Sequence, residues 1–202
     1  MPFSSPGANL QLGIFRLQDV CVRMQDGMEG FVETAALEKV PHIEAVFRWL
    51  RKRGISIALI SDADRSNTEK VLQRLSWGVG EEEMLQMVLT NQQKRENPVA
   101  DVIELAGLPN GRLVFSVFDL PYLLRAAHSS QVQLNLGVTN GRCSYAKLST
   151  VPNHRLLDGP IQLPNYLLEQ NPGIADLPFE GIKRGSDHGL DKNGWRSSVF
   201  FW

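Results

Sequence analysis

Apolar and polar positions come in blocks along this chain, and the period of the blocks changes. Leu12, Gly13, Ile14, Phe15 and Leu17 form an apolar run broken by Arg16, which gives way to Gln18-Asp19 and then to polar Arg23, Gln25 and Asp26. Such a run, ending in a polar turn, predicts a buried strand whose C-terminal tip faces a crevice. Residues 23–40 have mixed polarity with glycines and predict a turn or small hairpin rather than a domain. Period 3.6 then takes over. Ile43, Val46, Phe47 and Leu50 make one stripe of a helix opened by Pro41 and closed by Gly54. Ile55–Ile60 is a second buried strand, ending at Ser61-Asp62-Ala63-Asp64. Ser66 and Glu69 have the spacing of a capping box, with Val71, Leu72 and Leu75 as the buried face behind them.

The alternation continues. Met87–Leu89 predicts a third strand, and Asn91–Asn97 a polar loop. A helix from Pro98 turns Val99, Val102, Ile103 and Ala106 inward and stops at Gly107. Leu113–Phe118 predicts the fourth strand and Pro121–Ala127 a helix. In the fifth strand, Val132–Val138, apolar Val132, Leu134 and Leu136 alternate with Gln133 and Asn135, which predicts one wet face. A helix near Tyr145–Leu148, a strand at Arg155–Leu157 and a helix at Leu163–Leu168 follow. Strands alternating with helices predict an α/β fold, a three-layer, doubly wound parallel sheet with right-handed crossovers. Ligands in such sheets bind at the strand tips. The expected organisation is a leader over 1–11, one α/β domain over 12–170, and a C-terminal extension over 171–202. The extension loses periodicity and ends in Trp195, Val199, Phe200, Phe201 and Trp202. It reads either as a disordered tail or as a segment docking its aromatics on the parent domain or a second subunit.

Composition changes this picture little. The 202 residues are 43% hydrophobic with a net charge of −1, so no bulk field favours nucleic acid or an anionic membrane. Cys21 and Cys143 offer neither a disulfide scaffold nor zinc spacing, and His42, His128, His154 and His188 are dispersed. No signal peptide and no apolar run long enough for a transmembrane helix is visible, so the cytoplasm is the expected compartment.

The order and spacing over Leu12–Leu168 resemble the haloacid dehalogenase (HAD) superfamily, in its phosphonatase-like and phosphoglycolate-phosphatase-like branch. Phe15 and Val20 fit the first motif, apolar-Phe-Asp-x-Asp-Gly-Thr/Val, and Ser61 fits the second. Arg95 and Pro98 match two positions of the third, Gly-Arg-Pro-x-Pro. The turn Gly137-Val138-Thr139-Asn140-Gly141, followed by Arg155–Asp158 and Leu163-Pro164, is similar to the branch's C-terminal part. The departures lie in the chemistry. The nucleophilic aspartate falls on Arg16, the acid/base aspartate on Gln18 and the glycine on Asp19. The fourth motif, Gly-Asp-x-x-x-Asp, falls with its glycine and first aspartate near Phe115 and Ser116 and its second on Leu120, with Asp119 one residue off. The intervals leave no room for the family's cap domain.

The resemblance implies a HAD-like Rossmannoid core, capless, in which the family's reaction has lost its parts. That reaction needs an aspartate to attack phosphorus, a second to protonate the leaving group, and Mg²⁺ held by carboxylates. The expectation is therefore a pseudophosphatase with no catalytic residues, no metal and no cofactor. It would bind a phosphate-type anion or phosphorylated small molecule through Arg16, Ser61 and Arg95, or a protein partner or second copy through the C-terminal aromatics. The alternative is a Mg-dependent phosphohydrolase with rearranged carboxylates, Asp19, Asp62, Asp64 and Asp119. Two plainer readings stand beside these. Asp62 and Asp64 suit helix capping, and Arg16 suits an internal pair with Asp19, Asp62 or Asp64.

Overall fold

The computed structural model describes residues 10–24, 36–176 and 200–201. β1 (Leu12–Arg16) is followed by a hairpin of β2 (Val22–Met24) and β3 (Leu37–Lys39). Next come α1 (Ile43–Arg51), β4 (Ser56–Ile60), α2 (Arg65–Leu75) and β5 (Met87–Leu89). α3 (Pro98–Leu105), β6 (Val114–Phe118), α4 (Pro121–Ser129) and β7 (Leu134–Val138) continue the alternation. α5 (Tyr145–Leu148), β8 (Arg155–Leu157) and α6 (Leu163–Gln170) complete it, and β9 (Phe200–Phe201) lies near the chain end. The expected hairpin thus stands at the ends of its interval.

The sheet runs β8-β7-β6-β1-β4-β5-β9, and every pair in it is parallel. β1 is central, with Arg16 level with Ile60 of β4. The chain winds outward from β1 in both directions, so right-handed crossovers place α1 and α2 on one face and α3 and α4 on the other. Contacts between α3 and α4, and between α1 and α6, agree. This is the expected three-layer α/β core.

Burial follows from the runs. All five residues of β1, β6 and β7 are buried, as a strand covered on both faces requires. Phe15 stands at the centre of one layer, edge-on to Phe47 at 5.1 Å and to Phe115 at 5.7 Å, and Phe47 meets Trp77 at 5.6 Å. Gly13 is needed beneath this cluster, because a Cβ there would lie 2.4 Å from the Phe115 ring.

Several local expectations are corrected. β7 has no wet face: Asn135 is buried and saturated, donating to the carbonyls of Leu124 and Pro152 and accepting from the Ser116 hydroxyl. Asn135 reaches α4 through Leu124, while β8 pairs the edge of β7. The cap of α2 is Asp64, which accepts from the Asn67 N–H, and Glu69 pairs with Arg65 instead of closing a box on Ser66. α1 begins at Ile43 behind His42, whose φ of 65° breaks the chain after Pro41. Beyond α6, Ile174 is buried. Trp195 and Trp202 lie outside the described residues.

Candidate functional site

The tips of β1, β4, β6 and β7 converge at the C-terminal edge of the sheet. β1 ends on Arg16, whose side chain is wholly buried. A buried guanidinium needs acceptors for its fixed fork of donors, and each neighbouring tip supplies one. Nη1 donates to Asp119 Oδ1 at 2.9 Å and Oδ2 at 3.0 Å, to Asp19 Oδ2 at 3.2 Å and to the Gln18 carbonyl at 3.0 Å. Nη2 donates to Asp62 Oδ2 through a short contact, and Nε reaches Asp62 Oδ1 at 3.5 Å.

Local structure explains how the three acids arrive. Asp62 follows Ser61 at the end of β4, and Asp119 directly follows the last residue of β6. Asp19 turns back because its φ is 62°, a left-handed conformation that Asp tolerates. From the β7 tip, the backbone N–H of Arg142 donates to Asp119 Oδ2 at 2.9 Å, and its Nε donates to Asp19 Oδ2 at 2.8 Å. The turn can come so close because residue 141 is glycine: a Cβ there would sit 2.4 Å from Asp119 Cβ.

Gln18 and Ser61 form a neutral layer beside the charges. Gln18 Nε2 donates to Ser61 Oγ at 3.0 Å, and its Oε1 accepts from the Asp62 N–H at 3.1 Å. Ser61 Oγ also bonds Thr68 Oγ1 and accepts from the Ala63 N–H. Gln18 therefore fixes the turn that presents Asp62.

Burial would lower the Arg16 pKa, but the hydrogen bond to Asp62 and the charges of Asp119 and Asp62 outweigh it, and the group is held above its ordinary value. For Asp119, burial pushes the carboxyl up and the Arg16 charge pulls it back only in part. Tyr122, on the first turn of α4, is pushed up to about 12 by burial and by Asp62. Three acids thus face two guanidiniums.

The residues expected at the site are thus brought together selectively. Arg16, Asp19, Asp62 and Asp119 meet, while Asp64 caps α2 at its exposed end. Arg95 has partners of its own, its Nη1 on Asp101 at 2.8 Å and its Nε on the Thr90 carbonyl at 3.4 Å, with Nη2 buried and unpartnered. Of the three residues expected to bind an anion, Arg16 is bonded to carboxylates, Ser61 is buried among Gln18, Thr68 and the Ala63 N–H, and Arg95 is paired with Asp101. The internal pairing of Arg16 is what the geometry gives, with Asp119 in place of Asp64. The register of the fourth motif is corrected too. Ser116 lies inside β6, and the tip residue is Asp119, which puts the motif's second aspartate at Leu123, a buried position on α4. Arg142 was not among the expected residues. Its signal was its place just after the Gly137–Gly141 turn, at the tip beside β6.

A hollow of about 240 Å³ lined by Leu72, Trp77, Val79 and Glu83 lies at the opposite end of α2 and shares nothing with this cluster.

No protein-family model and no curated protein matches the chain. Solved structures do. The cobalt-bound deoxy-D-mannose-octulosonate 8-phosphate phosphatase of Haemophilus influenzae is 12% identical over 82% of this chain and 91% of its own, with a TM-score of 0.61. The Moraxella catarrhalis 3-deoxy-D-manno-octulosonate 8-phosphate phosphatase, in complex with magnesium, phosphate and KDO, is 10% identical over 84% and 92%, with a TM-score of 0.57. A haloacid dehalogenase-like hydrolase of Streptococcus pneumoniae is 10% identical over 78% and 98%, with a TM-score of 0.59.

These structures correct the expectation that no cofactor belongs here, since this fold is met holding cobalt in one and magnesium in another. Carboxylate oxygens are the right donors for such ions. In this chain, however, each of the three acids already accepts from Arg16, and the guanidinium lies among them. Among the described residues no group of acids, histidines or cysteines is placed to hold a metal ion. As the side chains stand, they do not fit one. The fold itself is that of the HAD superfamily phosphatases.

Proposed function

We propose that this HAD-fold protein does not hydrolyse phosphate esters through an aspartyl-phosphate and acts by binding a phosphate-bearing small molecule at the strand-tip crevice. One observation carries the reading. The residue at the end of β1, where the resemblance places the nucleophile, is a buried arginine bonded to Asp62 and Asp119. A guanidinium does not attack phosphorus, and Gln18 in the acid/base position has no acidic proton to give. The ligand class is supported by the Moraxella phosphatase, which is in complex with magnesium, phosphate and KDO. Since the donors of Arg16 are held by carboxylates, such a ligand would be met at the rim, where the Arg142 side chain is 57% exposed.

The test is hydrolysis of an aryl phosphate in the presence of Mg²⁺. The wild-type protein is expected at background, because losing a nucleophile removes on the order of 10⁴-fold or more of the rate. A turnover near ~1 s⁻¹ that disappears in Asp19→Asn would replace this reading with the other one. The convergence of Asp19, Asp62 and Asp119 is what favours that second reading, of a phosphohydrolase with rearranged carboxylates.

A further inference from the structure

The fold's cobalt and magnesium forms stand against a cluster whose centre is taken by a side chain, and that disagreement is informative. Asp19, Asp62 and Asp119 come from three different tips, and a cation among them offsets the repulsion of three ionised carboxylates. The cation here is covalent. The Arg16 guanidinium gives Asp62 and Asp119 two contacts each and Asp19 one, at 0% exposure of its own side chain.

We propose that the Arg16 guanidinium and a divalent cation exclude one another at these carboxylates, with Arg16 as the resident charge that organises the tips of β1, β4 and β6. Two arguments carry it. A hard dication would need the same inward oxygens that now accept from Nη1, Nη2 and Nε, and neither Asp62 nor Asp119 has an inward oxygen free of Arg16. A dication beside a guanidinium would also meet like charge at a few ångströms in a poorly solvated site, where the repulsion is large. Without Arg16, by contrast, the cluster has three acids with oxygen donors only, and Arg142 bonded to Asp19. Gln18 holds the Asp62 turn through the Asp62 N–H and Gly141 lets the Arg142 N–H reach Asp119 Oδ2, and neither bond involves Arg16. The inference stands on this geometry and not on whether the crevice hydrolyses anything.

The experiment is titration of full-length wild type, Arg16→Met and Arg16→Gln with CoCl₂ and MgCl₂, read by calorimetry, by the visible absorption of bound cobalt and by melting temperature. Both variants are expected to bind at least about tenfold more tightly than wild type, a factor that one unlike or like charge at this range readily supplies. Their melting temperatures should rise with added metal far more than that of wild type. Adding Asp119→Asn to either variant should remove the gain. Equal affinity in wild type and both variants overturns the proposal, because the guanidinium would then not occupy the metal's place. So does tighter binding that survives Asp119→Asn. A variant that stays unfolded both in buffer alone and with added metal also counts against it, since a divalent ion in the guanidinium's place should restore the tips.

Discussion

At the residue scale, Arg16 and Gly141 are the two ends of one device. Arg16 draws the acids inward, and the absence of a side chain at residue 141 lets the β7 turn close over Asp119. Gly141→Ala should force the turn away, loosen the Arg142 N–H bond to Asp119, and cost about 1–3 kcal/mol as overpacking does. Urea unfolding monitored by circular dichroism checks this, and an unchanged midpoint would show that the turn gives way without loss. Arg16 was legible in the sequence because a charge at the end of an apolar strand is conspicuous, and its internal pairing was one of the readings open there. The end of the fourth strand at Phe118 was legible from its apolar run, yet the motif's first aspartate was set near Ser116, inside that strand, and not at Asp119 just beyond its tip. Asn135 misled too. A buried amide with every hydrogen bond made looks, in sequence, like a solvent-facing one.

At the element scale, α1 is tied to the sheet by its stripe and to the hairpin by charge. Glu44 on its first turn accepts from Trp77 Nε1 at 2.8 Å and pairs with Lys39 of β3. The Lys39 hydrogen bond, seconded by that of Trp77, holds the Glu44 carboxyl below its usual range. A lowered native pKa means that the ionised form is favoured on folding. The stability it contributes is therefore complete above the ordinary glutamate value of about 4.3 and is lost as pH falls through the lower native value. Since Glu44 is 29% exposed, the contribution is about 0.5–1 kcal/mol. The gap in unfolding free energy between wild type and Glu44→Gln should be full at about pH 6 and shrink as the pH falls below the ordinary glutamate value of about 4.3. A gap that does not change with pH would assign the effect to packing. The helix itself was legible from its stripe, but its start was not, because the left-handed His42 is a backbone property that no apolar pattern encodes.

At the scale of the whole molecule, the alternation of strand and helix made the parallel sheet legible, while the order of its strands had to come from packing. The edge is where sequence said least. β5 is three residues long and wholly buried, and its outer side is paired by β9, with Val88 level with Phe200 and Leu89 with Phe201. An aromatic chain end carries no sign of which strand it will join, so its docking stood in the sequence as one reading of two. The pairing matters because a bare apolar edge exposes unpaired backbone groups and invites pairing with a second molecule. Deleting Phe200–Trp202 should lower the melting temperature by a few degrees, the size that a loss of about 1 kcal/mol gives a chain of this length. It should also raise the fraction of dimer or aggregate seen by light scattering. If both measurements match wild type, β9 adds nothing to the edge, and Met87–Leu89 is protected by its own burial alone.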